Sequence, residues 1–158
     1  MLMVPPHEIH VCKADDDDLK EVDQLLWETL WRPVGLPHDI RQRFRLPGPE
    51  VVLIARRHGQ FVGAVVGQAV DSREMELRHL AIRPDSQRSG IGSALVRRLV
   101  EYCREHGYVS IRTHARNTSQ AFFEKQGFVA VPGQTLTHSA FEKHGINFQV
   151  MRWTLKQQ

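Results

Sequence analysis

The chain has 158 residues, of which 41% are hydrophobic and 25% charged, with 11 glycines and a formal net charge of +3. At roughly 100 to 200 residues per domain this is a single domain spanning 1–158, too apolar for a disordered chain and too aperiodic for a fibrous one. The small net charge, with no Lys/Arg-rich run, argues against a nucleic-acid partner, and the longest uncharged apolar run (61–70) is about half of the roughly 20 residues that a membrane-spanning helix needs.

Pro5, Pro6, His7 and Glu8 stand where a signal peptide would have its unbroken apolar core, so a cytoplasmic location is expected. A short strand over 8–14 comes first, and Asp15 to Asp18 then supply caps for a helix whose Leu19, Val22, Leu25, Leu26 and Leu30 form one stripe. Pro33, Pro37, Pro47 and Pro49 mark the next region as loop and short helix. Two Val/Ile-rich strands, Glu50–Arg57 and 60–70, flank His58-Gly59 and predict a hairpin. A third strand is predicted at Glu74–Ile82. Beyond Pro84, residues Ile91, Ala94, Leu95, Leu99, Tyr102 and Cys103 share one helix face, which Gly107 ends. A strand at 108–113, a short helix capped by Asn117 with Gln120 and stopped by Gly127, and strands at 128–131 and 147–155 complete the order. The expected fold is α/β (α+β), with a mixed sheet that is antiparallel first and parallel where Glu74–Ile82, a helix and 108–113 make a βαβ unit.

Cys12 and Cys103 lie far apart without a CxxC pair, which predicts two reduced thiols in or near the core. His7-Glu8-Ile9-His10 is not HExxH, and the nine histidines show no i, i+4 ligand pair, so no metal is expected.

The informative stretch is Gln87-Arg88-Ser89-Gly90-Ile91-Gly92-Ser93, between a strand and an amphipathic helix. Glycines at a helix start let an anion approach the main chain, where the free amides of the first turn and the helix dipole receive it. There is neither a GxxxxGK[ST] P-loop nor the third glycine of GxGxxG, which argues against nucleotide hydrolysis and hydride transfer. Gly90 and Gly92 relieving crowding at a helix start is the structural alternative.

Gln87-Arg88-Ser89-Gly90-Ile91-Gly92 resembles the Q/R-x-x-G-x-G/A signature of the GCN5-related N-acetyltransferases, whose loop holds the pyrophosphate of acetyl-CoA. Asn117 followed by Phe122-Phe123-Glu124-Lys125-Gln126-Gly127-Phe128 resembles the family's second landmark, with Phe123 in place of the usual Tyr. The segment 141–151 is similar to the F-x-x-x-G-I-x-H-x-x-M ending of the ElaA-like branch, with Phe148 where that branch has His. The resemblance implies a three-layer fold with helices on both faces of the sheet, and transfer of an acetyl group from acetyl-CoA directly to a primary amine in a ternary complex. The acceptor would be a small molecule or a peptide, and a homodimer is left open.

The resemblance also implies roles. Gln87 to Ser93 with Asn117, Phe122 and Phe123 would hold the cofactor, and Leu80, Ala81 and Ile82 would align its pantetheine arm and thioester. Freeing a lysine-like amine of pKa near 10.4 at pH 7 costs about 4.6 kcal/mol, so a general base is needed. Glu76, on the strand before the glycine loop, is the first choice, with His79 and His114 in reserve because imidazole titrates near working pH. The alternative for Glu76 is an exposed strand carboxylate balanced by Arg73 or Arg78. Phe123 has no proton to give, although a thiolate of pKa near 8.5 lies only about 2 kcal/mol uphill at pH 7 and can leave without it. That residue also admits a second class, a non-catalytic acetyl-CoA-binding sensor. Arg88 could reach the phosphates, whereas Arg97 and Arg98 read as a solvated helix face. Trp27, Trp31, Arg32, His38, Arg41, Arg43 and Arg45 read first as a solvated basic helix beside core tryptophans, although their mix of aromatic and cationic groups would also suit an acceptor carrying a carboxylate or phosphate.

Overall fold

The computed structural model describes residues 8–156; the signal-peptide reading, which turns on Pro5, Pro6 and His7, lies outside them. Seven strands form one sheet in the order β1-β2-β3-β4-β5-β7-β6. They are β1 (Ile9–Lys13), β2 (Glu50–Arg57), β3 (Gln60–Ala69), β4 (Glu74–Ile82), β5 (Ser110–Arg116), β6 (Val129–Leu136) and β7 (Phe148–Thr154). Every pairing is antiparallel except β4 with β5, as expected for a crossover through the intervening helix. The hairpin turn has positive φ at both His58 (55°) and Gly59 (74°), the geometry that matches the twist of its flanking strands.

Helices cover both faces. Helix α1 (Asp16–Leu26) is held by a capping box between Asp15 and Asp18. It continues into a π-helical turn (Trp27–Trp31) and a 3₁₀ turn (Arg32–Val34) before the short α2 (Ile40–Arg43). Val22, Leu25, Leu26, Trp31 and Ile40 pack against Val52, Ile54, Ala64, Val66 and Ala81. On the opposite face α3 (Ile91–Glu105) and α4 (Gln120–Gln126) bury Leu95, Leu99, Cys103 and Phe123 against Val51, Val65, Met75, Leu77 and Ile111. A further short helix, α5 (Ser139–Glu142), places Phe141 in the α1 side of the core.

Several expectations are corrected. Cys103 is buried, and burial pushes its thiol up to about 12, but Cys12 is exposed because the period of an edge strand turns it outward. Helix α4 begins at Gln120 with Ser119 at its N-cap and no side-chain cap bond, so the capping box at Asn117 does not form. β5 extends three residues past the predicted end, β6 runs to Leu136, and α5 was not anticipated. Among the described residues no helix is long and apolar enough to cross a membrane.

Candidate active site

The site arises where two parallel strands part. β4 and β5 pair only from Glu74↔Ser110 to Leu77↔Thr113, although β4 runs on to Ile82 and β5 to Arg116. At the same level the β3 register slips between Val66↔His79 and Gly67↔Leu77, leaving Arg78 as the extra residue of a β-bulge. The bulge inverts side-chain parity. Leu77 and Leu80 therefore both pack on the α3 side, whereas His79 and Ala81 turn to the α1 side. Beyond it the Arg83 amide bonds back to Val62 O, so by strand alternation Leu80 and Ile82 direct their amides and carbonyls into the gap. The Gln87 side-chain amide donates to Ile82 O across 3.4 Å.

A cavity of about 410 Å³ occupies this fork. Leu77, Leu80, Phe122 and Phe123 line it on one side, Glu76, His79, His114 and Arg116 on another, and Trp31, Phe44, His138, Phe141 and Phe148 along its outer wall.

Glu76 is buried rather than exposed. Its carboxylate accepts from Arg78 Nη1 and, at 2.8 Å, from Arg112 Nε, while His114 Nε2 stands 3.7 Å away. The partners are thus Arg78 and Arg112, not Arg73. Burial would raise the Glu76 pKa, but Arg78, Arg112 and His114 together prevail and hold it below the usual carboxylate range. Such a carboxylate stays ionised and is a weak base. His79 lies edge-on to Trp31 at 4.9 Å; burial, then the charges of Arg78, Arg41 and Arg116, push it down to about 3. His114 is lowered by burial and partly restored by Glu76, which leaves a neutral imidazole at pH 7 beside a fixed negative charge.

At the end of β4 the glycine loop enters α3. Gly90 caps the helix at φ +83°, a conformation that glycine adopts without penalty, and Arg88 is also left-handed at φ 64°. The amides of Ile91, Gly92 and Ser93 have no acceptor within their own helix. A Cβ on Gly92 would come within 3.2 Å of the Phe122 ring, so this glycine also permits close packing of α3 on α4.

The chain matches the family model of the GNAT acetyltransferase domain over residues 16–155. The chain belongs to the GNAT acetyltransferases. It is 30% identical over 134 residues to an acetyltransferase of Pectobacterium atrosepticum, covering 82% of this chain and 92% of the relative. It is 32% identical over 107 residues to an uncharacterized N-acetyltransferase of Yersinia pestis, covering 66% and 74%. Among solved structures, the ribosomal-protein-S18-alanine N-acetyltransferase of Escherichia coli shares the fold with a TM-score of 0.73 at 16% identity, covering 96% of each chain. A GNAT family acetyltransferase of Elizabethkingia anophelis with acetyl-CoA bound has a TM-score of 0.72 at 15% identity, covering 93% of this chain and 98% of that one.

The remaining candidates of this GNAT acetyltransferase fall in three places. Phe123 is buried, edge-on to Phe122 (5.2 Å) and Phe128 (5.4 Å). Asn117 binds the loop before β7, donating to Gly145 O (3.1 Å) and accepting from the Asn147 amide (3.2 Å). The basic region at 27–45 is largely satisfied internally: Arg41 is buried against Asp23 and Glu50, Arg43 pairs with Asp39, Arg45 reaches Glu50, and Trp27 stacks on His38. Sequence reasoning missed Arg112 and Arg116, which alternate with His114 along β5; that alternation was the available signal.

Proposed function

We propose that this protein transfers the acetyl group of acetyl-CoA directly to a primary amine while both are bound. The fork supports this reading: the glycine loop and α3 approach it from one face of the sheet, and Glu76 and His114 open onto it from the other. The free amides of Ile91, Gly92 and Ser93, with Arg88 beside them, fit a pyrophosphate, and the unpaired edge of Leu80 and Ile82 fits an extended amide-bearing arm as an added strand. When bound, acetyl-CoA supplies an acetyl group activated as a thioester.

His114 takes the amine proton as the C–N bond forms and the C–S bond breaks. Glu76, kept ionised by Arg78 and Arg112, stands 3.7 Å from the ring and opposes the charge that appears on the imidazole. The Leu80 amide donates to the carbonyl oxygen in the gap. Phe123 contributes no proton, so the thiolate leaves to water. His79 is too weakly basic for the base role and shapes the cavity with Trp31. Initial rates at varied acetyl-CoA and amine test the ternary complex: intersecting double-reciprocal lines are expected, whereas parallel lines would mean an acetyl-enzyme and overturn direct transfer.

A further inference from the structure

The charges inside the cavity do not balance, and the imbalance sits at one residue. Glu76, Arg78 and Arg116 are its charged lining residues other than histidines. Arg78 is matched by Glu76. Arg116 is half-buried, donates through Nη2 to the backbone carbonyl of Leu30 at 2.7 Å, and lies over the Phe141 ring at 5.2 Å. Among the described residues no carboxylate lies within 4 Å of it, whereas Arg112, four residues earlier on β5, and Arg152 opposite Arg112 on β7 are both paired with Glu74. A neutral carbonyl and an aromatic face fix a guanidinium without neutralising it, and most of its five donors remain for a planar anion.

Its position relates it to the base. His114 and Arg116 are alternate residues of β5 and so share one face about 7 Å apart along the strand. Phe148 of β7 is directly opposite Arg116, and Phe141 packs on Phe148 edge-on at 5.3 Å. With Leu30 and Trp31 these make the surrounding wall apolar.

We infer that Arg116 is the carboxylate site of the acceptor, and that the acceptor is a free amino acid with a large apolar side chain. The amine faces His114, the carboxylate pairs with the guanidinium, and the side chain lies against Phe141 and Phe148. This rests on the acetyl-transfer reading and narrows its substrate class: a peptide N-terminus, whose α-carboxyl is an amide, lacks the group Arg116 is placed to bind.

The test compares phenylalanine and leucine, each beside its amide and its decarboxylated amine, as acceptors for acetyl-CoA with thiol detection. The free acids are expected to lead in kcat/KM by roughly thirtyfold, the size of one charge-assisted contact, even though the amides carry more free amine at neutral pH. In Arg116→Gln the preference ratio should collapse toward one, and Arg116→Lys should keep part of it. A second arm measures binding of N-acetyl-L-phenylalanine against N-acetylphenethylamine to the wild-type protein by calorimetry, with the carboxylate compound expected to bind more tightly. Carboxylate-dependent binding without any CoA release would sustain the Arg116 site and overturn acetyl transfer. CoA release with no preference for the acids would overturn the Arg116 site alone. Equal or absent binding of the two products, together with no acid preference in turnover, would also overturn it.

Discussion

Replacing Glu76 by Gln keeps the shape of the side chain and removes one buried negative charge. The wild-type carboxylate is 3% exposed and faces guanidiniums that are 16% and 28% exposed, so the variant leaves two cations in a site built for an anion. Removing one partner of a buried pair costs about 3 to 5 kcal/mol, but Arg78 keeps Phe44 O and Arg112 keeps Glu74, which brings the expectation down to about 2 to 3 kcal/mol. At roughly 2 to 4 °C per kcal/mol for a domain of this size, the melting temperature should fall by about 4 to 12 °C at pH 7. The sign of the pH dependence follows from the lowered pKa. Glu76 contributes stability above its unfolded value of 4.5 and loses that contribution as pH falls through its lower folded value. Melts of wild type and Glu76→Gln by circular dichroism should therefore differ most near neutrality and converge as the pH is taken down through 4.5 and below. A gap that does not change with pH, or the absence of one at pH 7, would refute the buried ion cluster.

His114→Gln should lower turnover by roughly a hundredfold while acetyl-CoA binding is retained, and should abolish the acid limb expected of wild type below pH 6.5, where its imidazole, lowered by burial, protonates; an unchanged pH profile would remove His114 from proton transfer. Gly92→Glu should eliminate the rise in melting temperature produced by acetyl-CoA, since it sets an anion among the α3 amides and presses on Phe122. Phe123→Tyr carries a hydroxyl into the cavity that Phe123 lines, and a hydrogen bond to the departing sulfur should raise turnover roughly five- to thirtyfold. A lowered melting temperature without any gain would mean that the ring serves packing alone.

The sequence made the local features visible. Continuous Val/Ile-rich apolar runs marked β2 and β3, helical spacing marked α3, and the glycines of the His58-Gly59 and Gln87–Gly92 segments announced a turn and a helix start through their tolerance of positive φ. The long-range partners were hidden. Glu76 looks like a surface strand carboxylate until β5 brings Arg112 beside it from 36 positions away. Arg78 looks like any exposed basic residue until the bulge breaks the alternation that sequence patterning assumes. Asn117 resembled a helix cap because local spacing cannot show that the loop at 145–147 folds back to claim both ends of its amide. The cations at 41–45 suggested an acceptor surface because their partners Asp23 and Glu50 lie in other elements.

If this fork joins an acetyl donor to an amine, release of CoA from acetyl-CoA depends on the amine. Acetyl-CoA alone should give only the blank rate. Adding a suitable amine from an amino-acid and amine panel should release CoA in equal amount to N-acetylated product identified by mass spectrometry, and His114→Gln should suppress both together. Acetyl-CoA that binds, as seen by a melting-temperature shift, but yields no CoA above the blank with any amine would rule out acetyl transfer and leave a ligand-binding protein on an acetyltransferase fold.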